Sequence, residues 1–162
     1  MYEAGRILTH THAMTPALTD VQKRDGDVST ECAANGIPVL LTIGSNAVDA
    51  ERRVAQACDY LREFIRDIRF SEAVMAPSYT GIGADYTNIA ATGICEASCA
   101  ALHESLRRYE DTHGRQRPPH DGCIAIDIDV IVYGTDVVKP EDMARPWVAH
   151  ALAQLDACGG VC

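Results

Sequence analysis

Apolar positions are scattered and aperiodic over residues 1–36 and then settle into strand-like runs and helical stripes down the rest of the chain. The first stretch mixes Thr, His, Asp and Gly, and Asp20 to Glu31 is almost wholly polar, so it is expected to be a poorly ordered extension or linker. From Ile37 the pattern changes: Val39-Leu40-Leu41-Thr42-Ile43 suits a buried strand and stops at Gly44-Ser45-Asn46. Val54, Cys58, Leu61 and Ile65 then recur at spacings of three and four, which predicts a helix with Asn46 and Asp49 at its capped start. Ile68, Phe70 and Val74 suggest a second strand ending near Pro77; Ser78 to Asp85 reads as an exposed loop, and a third strand runs from Tyr86 to Thr92. Cys95, Cys99, Leu102, Leu106 and Tyr109 form the stripe of a second helix that ends by Gly114. Cys123 to Tyr133 is the most strand-like stretch, with Ile124, Ile126, Ile128, Val130 and Val132 on one face that must lie under helices. A final helix begins at Pro146, a residue suited to a first helical turn, and ends at Gly159.

This order predicts an α+β ferredoxin-like sandwich: an antiparallel sheet with helices packed on one face, plus a C-terminal helix. A chain of 162 residues, 47% of them hydrophobic, fills one core, and residues 37–162 are expected to form that one domain. The net charge of −9 argues against a nucleic-acid partner, because such binding rests on Lys and Arg neutralising phosphates. Any anionic ligand is therefore expected to arrive with a cation. No window is apolar enough for a membrane helix and no basic, then apolar, leader opens the chain, so a cytoplasmic protein with no membrane contact is expected. The odd count of seven cysteines, several in apolar segments, argues against a disulfide framework. Cys95 and Cys99, like Cys158 and Cys162, have a C-x3-C spacing that invites a metal, but neither pair has clear companion ligands, and buried free thiols are the better reading. His10 and His12, in the polar leader, are assigned no role.

The chemistry concentrates at Asp127-Ile128-Asp129. Strand alternation puts the two carboxylates on one face about 7 Å apart, and their repulsion calls for arginines or divalent ions. Mg2+ fits, since it takes a few carboxylates and keeps its other positions for water and phosphates; the alternative is a pair of solvated aspartates on an exposed strand. Arg115 and Arg117, in the loop just before, are placed to reach a polyphosphate held by such a metal, or else belong to an ordinary charged loop. Phosphoryl transfer asks for little beyond such clamps and metals.

In sequence order these features resemble the 6-hydroxymethyl-7,8-dihydropterin pyrophosphokinase family over about Val39 to Leu155. The family's apolar strand ending in Gly-Ser-Asn is present as Ile43-Gly44-Ser45-Asn46, and its aromatic residue two before an asparagine as Tyr86-Thr87-Asn88. Its helix closing in a glutamate and then Gly-Arg is Glu110-Asp111-Thr112-His113-Gly114-Arg115, and its Asp-x-Asp strand is Asp127 to Gly134. Arg145-Pro146-Trp147-Val148 matches its late Arg-x-aromatic-Val. The resemblance implies pyrophosphoryl transfer from MgATP to a reduced pterin in folate biosynthesis, with AMP released. It implies that Asp127 and Asp129 hold two Mg2+ ions and, with Arg115 and Arg117, form the catalytic set. Tyr86 and Trp147 would sandwich the pterin, Asn88 and Asn46 would bind it, and Glu110, Arg115, Arg117 and Arg145 would serve the nucleotide.

The chain departs from the family where the phosphates would lie. Ile124 replaces an arginine, the preceding loop holds Pro118-Pro119-His120-Asp121 where a tryptophan is expected, and no Pro-His-Pro segment precedes Arg145. Three readings stay open on sequence grounds: a working pyrophosphokinase, a catalytically silent homologue that binds nucleotide or pterin, and a ferredoxin-like interaction module. Oligomeric state is not legible.

Overall fold

A computed structural model describes residues 36–78, 80–119 and 122–159, so all but Gly36 of the expected extension over residues 1–36, together with His120 and Cys162, lies outside the described residues. The first strand, β1 (Ile37–Ser45), is buried from Val39 onward, as a continuous apolar run requires when both faces are covered. Helix α1 (Ala50–Arg62) follows and turns Val54, Ala57, Cys58 and Leu61 inward. Neither proposed cap residue caps it: Asp49 holds the N-cap position but its carboxylate pairs with Arg52 and Arg53 instead of a backbone N–H. Ile65, in phase with the helical stripe, already belongs to the next strand.

The expected second strand is two, β2 (Ile65–Phe70) and β3 (Val74–Ala76), which pair with successive parts of one partner, β4 (Tyr86–Cys95). Ser71 bridges the break: its N–H bonds the Ala90 carbonyl at 2.9 Å, and its hydroxyl accepts from the Ala90 N–H at 3.0 Å. Cys95 therefore ends a strand rather than opening a helix. Helix α2 (Cys99–Thr112) starts on Ser98, whose hydroxyl accepts from the Ala101 N–H, and stops at Gly114, where φ is +91°. Then come β5 (Asp127–Tyr133), β6 (Asp136–Val137), one turn of helix α3 (Pro140–Met143), and α4 (Pro146–Gly159), which has the bounds expected of it.

Strands run in the order β2-β4-β1-β5-β6 with β3 also beside β4, and every pairing is antiparallel. This is the ferredoxin-like sandwich. Helices α1 and α2 cover one face through Leu41, Ile43, Leu61, Leu102, Leu106 and Val130. The C-terminal helix α4 covers part of the opposite face through Ala151 and Leu155, against Leu40, Ala90 and Ile131. The isoleucine strand departs from expectation at both ends. Residues before Asp127 are irregular, and a bulge between Leu40 and Leu41 of β1 pairs them with Val132 and Val130, leaving Ile131 extra. One extra residue reverses the alternation, so Val132 packs on the α4 side and not with Ile126 and Ile128.

Candidate active site

The face under α4 opens into a cavity of about 610 Å³ at the end of the sheet nearer Gly44. Register builds its floor. Gly44 of β1 lies opposite Asp127 of β5 and Asn88 of β4, and Thr42 lies opposite Asp129. Ile126, Ile128 and Val130 point to the α1/α2 layer, so alternation turns Asp127 and Asp129 the other way, into the cavity. A Cβ at position 44 would come within 2.8 Å of Asn88 Oδ1 and 3.5 Å of a Tyr86 ring carbon. Glycine is what lets Asn88 and Tyr86 lean over the floor beside the carboxylates. Trp147, in the first turn of α4, and Arg145 just before it complete the far wall.

Each aspartate has its own cation. Asp127 Oδ1 lies 3.5 Å from an Arg115 Nη, and Asp129 Oδ1 lies 2.5 Å from Lys139 Nζ. Burial pushes the Asp127 carboxyl above the usual carboxylate range, the charge of Asp129 adds to this, and Arg115, Lys139 and Arg117 work against it. Burial likewise raises the Tyr86 hydroxyl, helped by the charge of Asp127. Burial favours the neutral form of the Lys139 amine, but the hydrogen bond and charge of Asp129 outweigh that and raise it. Among the described residues no group of three or more His, Cys, Asp or Glu forms a closed metal cage. Two carboxylates on an open floor match Mg2+, which fills its remaining positions with water and phosphate oxygens.

Residues 40–157 match the family model of 7,8-dihydro-6-hydroxymethylpterin-pyrophosphokinase (HPPK). The chain belongs to the HPPK family. A comparison with curated proteins gives no match.

The structure distributes the HPPK-like residues over two regions. Tyr86, Asn88, Asp127, Asp129, Arg145 and Trp147 all line the cavity. Glu110, Arg115 and Arg117 stand outside its lining, beside β5 at the C-terminal end of α2. Glu110 is buried: its Oε1 accepts the Ile128 N–H at 2.7 Å, and its Oε2 pairs with Arg117, which also pairs with Asp111. The Ile128 N–H lies where β6, paired only to Val132 and Tyr133, does not reach. Burial raises the Glu110 carboxyl, and the Ile128 N–H opposes that rise. Arg115 reaches back to Asp127 and keeps a buried Nε with no acceptor.

Asn46 also stands outside the cavity lining and acts on its wall. Its Oδ1 accepts the Ile124 N–H at 2.6 Å, and its Nδ2 donates to the Gly122 carbonyl at 2.9 Å and to that of Ala84 at 3.3 Å. With Ser45 Oγ donating to the Ala125 carbonyl at 2.7 Å, the Gly-Ser-Asn turn staples two loops together and holds the Ile124 side chain in the cavity wall.

Two charged residues of the site have no counterpart in the sequence reading. Lys139 follows β6 and stands outside the cavity lining, and Asp142, buried on α3 and part of that lining, lies 3.8 Å from Lys139 Nζ and 2.5 Å from an Arg145 Nη. Their elements are too short to carry a period, so nothing in the pattern marks them. Among the described cysteines, Cys58 and Cys95 are buried thiols as expected, Cys99 is half-buried, and Cys123 is exposed. No helix among the described residues is long and apolar enough to cross a membrane.

Proposed function

We propose that this HPPK-family chain is a cytoplasmic enzyme of folate biosynthesis that transfers a pyrophosphoryl group from MgATP to 6-hydroxymethyl-7,8-dihydropterin. The pterin hydroxyl oxygen attacks the β-phosphorus of ATP, the bond from that phosphorus to the α,β-bridging oxygen breaks, AMP leaves, and the hydroxyl proton is lost. What carries the reading is the meeting, in one cavity, of the Asp127 and Asp129 pair with Tyr86, Asn88 and Trp147.

Each group has a task its chemistry suits. Tyr86 and Trp147 offer aromatic faces to a flat ring, and Asn88 offers an amide to its polar edge. Asp127 and Asp129 would hold two Mg2+ ions, which supply charge neutralisation to the phosphates when bound. Arg115, with its acceptor-free Nε, and Arg145 at the far wall supply donors to anionic oxygens, while Glu110 holds Arg117 in place. Asn46 acts on substrate through the wall it staples. Electrostatic groups of this kind, fixed before the reaction, account for most of the rate in phosphoryl transfer.

A catalytically silent binding protein is the second reading, favoured by Ile124, which puts an apolar side chain and no donor into the cavity wall. AMP formation from ATP, the pterin and Mg2+ separates the two. Wild type is expected to make AMP only when pterin is present, and Asp127→Asn or Asp129→Asn to lower the rate by about a hundredfold or more. Binding of both ligands without AMP would favour the silent reading.

A further inference from the structure

Resting on that reading of the cavity, we propose that Lys139 is a resident cation of the site: it occupies Asp129 when no metal is bound, is displaced when a divalent ion takes that carboxylate, and then turns to the anion that arrives with the metal. The geometry separates Lys139 from the arginines around it. Its Nζ lies 2.5 Å from Asp129 Oδ1, so the ammonium already sits on one of the two carboxylates that suit a metal. A divalent ion on that carboxylate brings a double positive charge next to the ammonium and repels it.

The backbone beneath Lys139 is tied down, so only its side chain need move to break the contact with Asp129. The N–H groups of Val138 and Lys139 both bond the Ile131 carbonyl, at 2.8 and 3.4 Å, which ties the segment to β5. The Lys139 side chain is one-third exposed, and its flexible stem ends in a single compact charge that forms no fixed fork. A second carboxylate, Asp142, lies 3.8 Å from Nζ and itself lines the cavity, so it offers the displaced ammonium a partner at the cavity edge. Arg115 differs in kind: its side chain is only 14% exposed, and it meets Asp127 at 3.5 Å.

The consequence is that metal and polyphosphate bind cooperatively. Metal alone must evict Lys139, whereas metal with polyphosphate gives the ammonium a new partner. Such coupling is typically about 5–150-fold in affinity.

Two measurements on the full chain test this, both with Mn2+ in place of Mg2+ and inorganic tripolyphosphate as the anion. The first is Mn2+ affinity by electron paramagnetic resonance, for wild type, Lys139→Met and Lys139→Gln, with circular dichroism as the folding control. Removing the competitor is expected to tighten binding of Mn2+ alone by about threefold or more, the scale of a partly exposed ion pair. The coupling to tripolyphosphate is expected to be smaller in both variants than in wild type, and what remains is the direct attraction of metal for phosphate. The second is acylation of the Lys139 amine followed by mass spectrometry, where Lys23, the only other lysine, is the internal reference. Mn2+ alone is expected to speed acylation of Lys139, and tripolyphosphate added with it to protect the amine again. Unchanged Mn2+ affinity in both variants, or acylation indifferent to Mn2+, overturns the exchange. Tripolyphosphate that binds without protecting Lys139 overturns its role on the anion. If Mn2+ evicts Lys139 but tripolyphosphate binds to no form, the pyrophosphokinase reading fails and the exchange at Asp129 stands on its two metal tests.

Discussion

Asp127 sits where burial and a like charge favour the neutral carboxyl. Burial and the neighbouring Asp129 both raise its carboxyl in the folded chain above the ordinary 3.8, so the fold binds that proton more tightly than the unfolded chain does. Stability is then fully present below the ordinary value and is lost as pH rises through the raised one. Thermal unfolding of metal-free protein should therefore show Asp127→Asn melting above wild type at neutral pH, with the difference gone near pH 3, where the wild-type carboxyl is protonated in both states. A lower melting temperature at neutral pH would mean that the Arg115 pair outweighs burial. The position of Asp127 and Asp129 was readable from sequence because residues two apart on a strand share a face whatever the fold. Lys139 and Asp142 were not, because a turn and a single helical turn bring them to the carboxylates. Asn46 was recognisable as part of a motif, but its partners at Ala84, Gly122 and Ile124 are 38 to 78 residues away.

At the scale of elements, α4 shows how close packing positions chemistry. Ala90 on β4 and Ala151 on α4 are both fully buried in the smaller core, and small residues there let the helix lie close to the sheet. Trp147 is one turn before Ala151 on the same helix, so the seat of the helix sets the place of the ring. Ala151→Leu is expected to cost about 1–3 kcal/mol by overpacking and to weaken pterin binding through Trp147. Denaturant unfolding and a pterin titration check the two effects separately; a stability loss with unchanged pterin affinity would detach Trp147 from the substrate. The start and end of α4 were legible, since Pro146 and Gly159 act through the local backbone. The division of the second strand at Ser71 and the bulge at Ile131 were not, because both are set by the strand alongside.

For the molecule as a whole, a charge of −9 predicts that polyanion binding will depend on metal. Mg2+ with a non-hydrolysable ATP analogue, at about 100 times its dissociation constant, should stabilise the fold by ~2.7 kcal/mol, because only the native state offers the site. Differential scanning fluorimetry should register a higher melting temperature for wild type and no shift for Asp129→Asn. A shift that survives the substitution would put the ions elsewhere. The order of the longer strands and helices, hence the sandwich, and the shared face of the two aspartates were legible along the chain. Hydrophobic period and local backbone preference need no distant partner, so they can be read along the chain. Closing of the sheet was needed to settle that α4 covers the second face, that Gly44 opens the floor between Asn88 and Asp127, and that Lys139 sits on Asp129. Each of these depends on register and on contacts between residues far apart in sequence, which fix direction and distance only once the sheet has closed.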